Sequence, residues 1–246
     1  MPTQLFIPSY NWELVRKWEG GIELGFFRDR LLVGGRYYYN LTDNQLVNYA
    51  LPPSTGFGGI LRNLPARISN NGVELELSGS ILRKHHFSWN ASFNLTIPRN
   101  KLLRFDNIES SSYANTYIVG RSLFIIRRYE YMDVDPQTGL YRFTDFDHDG
   151  RISSPNDRQA VVFTGQQYYG GLSQSFTWKK FSMSFFLQFV RQQYAGNHVV
   201  LFSRPGTARN QPVSVMDRWQ QPGDITSIQK FTNTASGPFR PMRTIS

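Results

Sequence analysis

The sequence predicts an all-β chain, an antiparallel up-and-down sheet forming a segment of a transmembrane β-barrel, and three observations carry that prediction. The first is alternation. Phe87 to Ile97 reads F-S-W-N-A-S-F-N-L-T-I, apolar at every odd position and Ser, Asn or Thr at every even one. Successive strand residues point to opposite faces, so this segment has one oily and one wet face, and its length suits a tilted strand crossing a bilayer. The second is the order of connections, in which short turns and long excursions take turns. The third is the placing of Tyr37, Tyr38, Tyr39, Tyr49, Phe87, Trp89, Trp178 and Phe181 near predicted strand ends. Such rings favour a boundary between apolar and polar phases.

Taken in order, strand one runs from about Val15 to Phe27, where Ile22, Leu24 and Phe26 flank Glu23 and Gly25. Arg28-Asp29-Arg30 turns the chain into strand two, about Leu31 to Leu41, with Val33, Gly35, Tyr37 and Tyr39 set beside Gly34 and Arg36. Strand three, about Asn70 to Ser80, alternates Val73, Leu75 and Leu77 with Glu74, Glu76 and Ser78. Ile81 to His86 leads to strand four at Phe87. Strand five, about Tyr168 to Trp178, carries Leu172, Phe176 and Trp178 among Ser and Gln. Lys179-Lys180 joins it to strand six, about Phe181 to Gln193, where Phe181, Met183, Phe185, Leu187 and Phe189 alternate mostly with Ser182, Ser184 and Gln188.

Between these hairpins lie excursions at approximately 42–69, 98–167 and 194–246. An up-and-down sheet puts every short turn at one end and every long loop at the other, as outer-membrane barrels do. A soluble sandwich has no physical reason to segregate loops so strictly. Six strands fall short of the eight that close the smallest such barrels. Two open edges in hydrocarbon would leave rows of N–H and C=O groups unpaired, at several kcal/mol each, so further strands from a longer polypeptide or a partner are expected.

Composition agrees. Aromatic residues make up 15% of the 246, with 20 Gly and 13 Pro, a mix that suits strands punctuated by turns. There is no cysteine, which removes thiol catalysis, disulfides and thiolate metal sites. No stretch of eighteen apolar residues exists to form a membrane helix, but barrel strands, apolar on one face only, give a weak hydropathy signal. The opening M-P-T-Q-L-F lacks the basic and then apolar pattern of an export signal, so the expectation is a cytoplasmic chain or an interior piece of an exported one. Lys and Arg outnumber Asp and Glu by 27 to 18, giving +9. The cations occur as scattered pairs, Arg16-Lys17, Arg83-Lys84, Arg127-Arg128 and Lys179-Lys180, which fits lipid headgroups or solvation better than nucleic acid.

Five phrases then occur in order: W-E-G-G-I-E-L-G-F-F-R-D-R-L-L-V-G-G-R-Y-Y from Trp18, L-P-P-S-T-G-F-G-G-I-L-R-N-L from Leu51, I-S-N-N-G-V-E-L-E-L-S-G from Ile68, D-F-D-H-D-G-R-I from Asp145 and M-D-R-W from Met216. Over about Trp12 to Trp219 the chain resembles the late barrel region of SusC/RagA-type TonB-dependent outer-membrane transporters. The resemblance implies about six of the roughly 22 strands of an outer-membrane barrel. It also implies an N-terminal plug, energy transmitted by TonB, a SusD-like surface lipoprotein over the barrel, and import of glycans or peptides. An export signal, a plug, a TonB-contacting segment and the closing strands are absent from the sequence, which ends R-P-M-R-T-I-S. The chain is accordingly expected to be a fragment, all of 1–246 belonging to a partial barrel domain, and inactive in transport by itself.

Candidate sites are few. Asp145, Asp147 and Asp149, followed by Gly150 and Ile152, resemble the first half of a calcium loop, in which alternate carboxylates converge on a hard cation. The closing position holds Asn156 where a bidentate Glu is normal, with Asp157 one place beyond, so an Asp/Gly-rich turn capping its own backbone is the preferred reading. Asp133, Asp135, Pro136, Thr138 and Gly139 form a second acidic turn among Tyr129, Tyr131, Tyr141 and Phe143. Those rings either pack a small hairpin inside a long loop or, on the family resemblance, stack on sugars or meet the lipoprotein.

Glu74 and Glu76 share the polar face of strand three. A lone i,i+2 pair says nothing of an opposing carboxylate across a cleft, so lining a wet lumen beside Arg36 is preferred to hydrolysis. His85 and His86 adjoin in a turn, and His148 and His198 are isolated, so no triad is legible and no enzyme or cofactor is expected. Gly56 to Gly59 lacks the spacing of a nucleotide loop, and with Pro52 and Pro53 suggests a bent external segment. The sequons at Asn40 and Asn94 are read as accidental. The competing architecture is a soluble β-sandwich serving as a carbohydrate-binding module, whose apolar face would pack on a second sheet.

Overall fold

The computed structural model describes residues 11–50, 54, 56, 58–193, 205, 206, 208 and 210–232. In chain order its strands are β1 (Leu14–Phe26), β2 (Leu31–Asp43), β3 (Leu46–Ala50), β4 (Gly59–Asn63), β5 (Ala66–Lys84), β6 (Phe87–Phe105), β7 (Ile125–Arg128), β8 (Tyr131–Val134), β9 (Tyr141–Phe143), β10 (Ala160–Phe163), β11 (Gln166–Trp178) and β12 (Phe181–Gln192). The chain divides into two compact units, residues of 1–124 with 165–192, and residues of 125–164 with 193–246.

The first unit is built on a six-stranded antiparallel sheet in the order β1-β2-β5-β6-β11-β12, with β1 and β12 at its edges. These are the six predicted strands, and the register explains why they associate. One row across the whole sheet reads Leu24, Val33, Leu77, Phe93, Leu172 and Leu187, every residue apolar. The adjoining row reads Glu23, Gly34, Glu76, Asn94, Gly171 and Gln188, and it points to the other face. A slip of one residue in any pairing would mix the two faces, so the alternation excludes every odd slip of register.

The apolar face is not covered. Ile22 is 64% exposed, Phe181 74%, Met183 61% and Leu187 55%, whereas residues facing a second sheet would be buried. The sandwich alternative is therefore not favoured. Phe87, Trp89 and Phe93 are half-buried, and stacking within the sheet accounts for part of that: Trp89 on Phe176 at 5.6 Å and Phe93 on Phe189 at 5.9 Å.

Strand ends differ from expectation for local reasons. Phe27, Arg28 and Asp29 have φ of 57°, 59° and 62°, a left-handed run that stops β1 at Phe26. The excursions expected at 42–69 and 98–167 are shorter, because β2 continues to Asp43, β5 begins at Ala66 and β6 continues to Phe105. Pro98 does not end β6. Pairing with β11 stops at Thr96, so from there Pro98 lies on an edge where no N–H is required on that side. At roughly 3.3 Å per residue, the 19 residues of β5 span about 60 Å, twice a bilayer's hydrocarbon thickness of about 30 Å.

The buried core of this unit lies toward the long-loop end of the sheet. Leu64, Ala66, Ile68, Leu102 and Phe105 pack with Tyr113, Tyr117 and Leu123 from the segment after β6. Leu102 donates its N–H to the Arg121 carbonyl at 2.8 Å and accepts that of Gly120 at 2.7 Å, while Arg67 pairs with Asp43 at 2.6 Å. The first excursion contains the β3–β4 hairpin, but its tip, including Pro52 and Pro53, lies outside the described residues.

The second unit contains two small antiparallel pairs, β7 with β10 and β8 with β9. Rings of the β8–β9 hairpin pack edge to face, Tyr131 against Tyr141 at 5.7 Å and against Phe143 at 6.2 Å. A short 3-10 turn, Val213–Asp217, precedes the M-D-R-W tryptophan.

Candidate functional site

The wet face of the sheet carries its charge at one side. Hairpin register sets Gly21 opposite Arg36 and Arg36 opposite Glu74, with Glu23, Gly34 and Glu76 in the next row. Together with Glu19 these residues line a groove of about 360 Å³. Gly21 and Gly34 make the floor. A Cβ on Gly21 would lie 2.9 Å from Arg36 Cγ, so the arginine stem crosses the strand because that position has no side chain. Four carboxylates surround one guanidinium, giving the groove a negative field on a chain of +9. None of the four forms an ion pair with Arg36 within 4 Å among the described residues.

Glu74 and Glu76 therefore stand where the alternation put them, two residues apart on one face. Glu19 and Glu23 of β1 share the groove with them, across Arg36 and Gly34 of β2, and the groove is open and charged like a channel wall. Toward β12 the wet face becomes neutral: Ser92, Asn94, Ser173, Ser175, Ser182 and Ser184 replace the charges. Glu19 and Glu23 were missed as members of this cluster. A three-residue turn after Phe27 would have set Glu23 opposite Gly35; the observed connection of four residues, 27–30, pairs Phe26 with Leu31 and brings Glu23 beside Gly34.

In the second unit Asp145, Asp147 and Asp149 bring carboxylate oxygens within 4.8 Å of one another. One oxygen of each is already used, while Asp145 Oδ1 is buried without a hydrogen-bond partner. Asp145 Oδ2 accepts the Gly150 N–H at 2.8 Å, Asp149 Oδ1 accepts that of Arg151 at 2.7 Å, and Asn156 donates its amide to Asp147 at 2.6 Å. The Gly150 bond is the main reason the Asp145 carboxyl lies below its ordinary range. Asp157 is fully buried, its two oxygens accepting the N–H groups of Phe146 and Ser153, both at 2.7 Å. It ties the loop's two arms and is spent as a ligand. His148 has φ of 57° within this turn, and His198 lies outside the described residues.

The second acidic turn is also self-capped. Asp135 accepts the N–H of Gln137 at 2.7 Å and of Thr138 at 3.2 Å, which lowers its pKa, and Asp133 is lowered by its pair with Arg142 at 2.5 Å. Trp219 of the M-D-R-W phrase covers this turn. A Cβ on Gly139, where φ is +69°, would sit 2.4 Å from the Trp219 ring, and the indole N–H donates to the Pro136 carbonyl at 2.9 Å. Gly139 and Trp219, 80 residues apart, thus belong to one structure.

A family model described as TonB dependent receptor-like, beta-barrel, matches residues 2–131, more than half of the chain. The chain belongs to this TonB-dependent receptor-like β-barrel family. Among curated relatives, TonB-dependent receptor P39 of Formosa agariphila is 28% identical over 179 residues, covering 70% of this chain and 17% of the relative. TonB-dependent receptor SusC of Bacteroides thetaiotaomicron is 23% identical over 205 residues, covering 77% and 20%. The RagAB peptide transporter superposes with a TM-score of 0.77 at 20% identity, over 91% of this chain and 26% of that one, a likeness of fold. The SusC/RagA-type resemblance read from the five phrases is thereby shown. This TonB-dependent receptor segment spans about a fifth of the length of the curated relatives it matches.

Proposed function

We propose that the chain supplies six neighbouring strands of barrel wall, with external loops, to an outer-membrane TonB-dependent transporter that imports glycans or peptides. The observation that carries this reading is the uncovered apolar face, continuous across all six strands and backed by a wet, charged face. In a bilayer the first meets acyl chains and the second lines the lumen. The open backbone edges of β1 and β12 are completed by further barrel strands, because unpaired groups there would each cost several kcal/mol.

The three tight turns face the periplasm, and the excursions from Asn44, Asp106 and Gln193 onward lie outside, where a SusD-like lipoprotein caps the barrel. TonB acts through a plug supplied by other sequence. The RagAB peptide transporter, whose fold this chain shares, supports peptides as a cargo class, and glycans follow from the SusC/RagA-type resemblance. The Asp145–Asp157 loop serves as a self-capped external turn, and the charged groove serves as lumen wall, without hydrolytic chemistry.

Protease treatment of intact cells tests the orientation. Cleavage within the external loops, with the Arg28-Asp29-Arg30 and Lys179-Lys180 turns protected, is expected. Cleavage confined to those turns would overturn it.

A further inference from the structure

The short-turn end of the sheet is a basic rim. Arg28 and Arg30 lie in the first turn, Arg83 and Lys84 lead into the second, and Lys179 with Lys180 makes the third; all six are exposed, and Asp29 is the one acid among the turn residues. The three turns are neighbours because their hairpins are neighbours in the sheet. Backbone bonds fix them further: Lys179 donates its N–H to the His86 carbonyl at 2.8 Å, and Ser80 donates to Arg30 at 2.9 Å.

One feature argues that these cations have a partner beyond water. At the opposite end of the same sheet Arg67 and Arg104 are paired with Asp43 and Asp106, whereas among the described residues none of the six rim cations has a carboxylate within 4 Å.

The rings beside the rim identify the partner's setting. Phe26, Phe87, Trp178 and Phe181 end the apolar face at the turns, with Trp178 54% and Phe181 74% exposed, and the Lys179 ammonium lies 5.2 Å from the Trp178 ring. Cations directly beyond a belt of exposed rings lie at headgroup depth when the rings meet acyl chains. We propose that this rim binds the phosphates of anionic phospholipids in the leaflet facing the short turns. The proposal rests on the bilayer-spanning reading above.

The test uses the complex that this chain forms in outer membranes, extracted through a tag on the chain and exchanged into nanodiscs of phosphatidylcholine doped with phosphatidylglycerol. Lipids retained after detergent release are counted by native mass spectrometry. Phosphatidylglycerol is expected to be enriched, and each neutralised rim cation is expected to lower that enrichment by up to about fivefold at low salt. The full variant carries Arg28→Asn, Arg30→Gln, Arg83→Gln, Lys84→Gln, Lys179→Asn and Lys180→Gln. A Lys179→Asn/Lys180→Gln pair supplies the answer if the full variant does not assemble. A control set at Arg16, Lys17, Arg62, Lys101, Arg121 and Arg151 is expected to leave the enrichment unchanged.

No enrichment in the unsubstituted complex, or equal loss from the control set, overturns the proposal. So does a rim that retains soluble polyglutamate while ignoring phosphatidylglycerol, which marks an acidic protein partner instead. Absence of the chain from the outer-membrane fraction is a different result, and it defeats the bilayer reading itself.

Discussion

Trp89→Phe is the substitution that reports most directly on what the apolar face touches. Gln174 is the one amide in the middle of that face, between Ala91 and Phe185 in register, and it is 9% exposed. Its carbonyl accepts the Trp89 indole N–H at 2.6 Å. Phenylalanine keeps the ring and its stacking on Phe176 but removes the donor. With acyl chains outside, no water can replace it, and the loss is about 1–3 kcal/mol. With water outside, the amide would hydrate, and the loss would be about 0.5 kcal/mol or less. Gln174→Leu added to Trp89→Phe removes the stranded carbonyl, so the double variant is expected to recover most of the loss. The assay is guanidinium unfolding of the vesicle-embedded barrel carrying this chain, with stabilities taken by linear extrapolation. A cost for Trp89→Phe below about 0.5 kcal/mol, or no rescue by Gln174→Leu, would refute the reasoning.

Other consequences are local to named contacts. Asp157→Ala strands the N–H groups of Phe146 and Ser153 and is expected to destabilise the 145–157 loop by about 2–4 kcal/mol, read as lost hydrogen-exchange protection there and not in β6. Gly139→Ala meets both a left-handed backbone and the Trp219 ring, so it is expected to release Trp219 and raise exchange across β8–β9, whereas Thr138→Ala beside it leaves both in place. The Asp133 and Asp135 carboxyls lie below their ordinary value of 3.8, held by Arg142 and by the Gln137 and Thr138 N–H groups. Their stabilisation of the hairpin is complete above that value and is lost as pH falls through the lowered folded values; exchange corrected for intrinsic rates is expected to rise only in that acidic window. Gly21→Leu displaces Arg36 from the groove floor, and single-channel conductance of the assembled barrel is expected to change more than with Gly20→Leu, where a Cβ meets nothing within 4 Å.

Much of the sheet was legible because lipid and water demand opposite residues at a period of two. Alternation assigns each residue of the row from Leu24 to Leu187 to the apolar face, but the partners depend on the four-residue first turn, the irregularity at Ser80/Leu82 and the pairings of β2 with β5 and β6 with β11, which no short turn sets. Strand lengths were less legible. Pro98 reads as a stop, and only the loss of β11 as a neighbour after Thr96 shows why it is tolerated. The small pairs β3–β4 and β7–β10 were not anticipated, since four- or five-residue strands such as Ile125–Arg128 carry too little alternation to register. Nor was the meeting of Trp219 with Gly139, which depends on a closure across 80 residues that no local pattern encodes. Asp157 was weighed as a poor cation ligand, and its burial gave it another task, because a carboxylate with two backbone donors is satisfied without a metal.

The absence of native cysteine makes one measurement clean. Single cysteines at Asn90, Ala91, Ser92, Phe93, Asn94 and Leu95 of β6, spin-labelled in the membrane-embedded barrel, report which reagent reaches each side chain. Oxygen, which concentrates in acyl chains, is expected to relax the labels at 91, 93 and 95, and a water-soluble nickel chelate those at 90, 92 and 94. Chelate access at 91, 93 and 95 equal to that at their neighbours would contradict the assignment of this face to lipid.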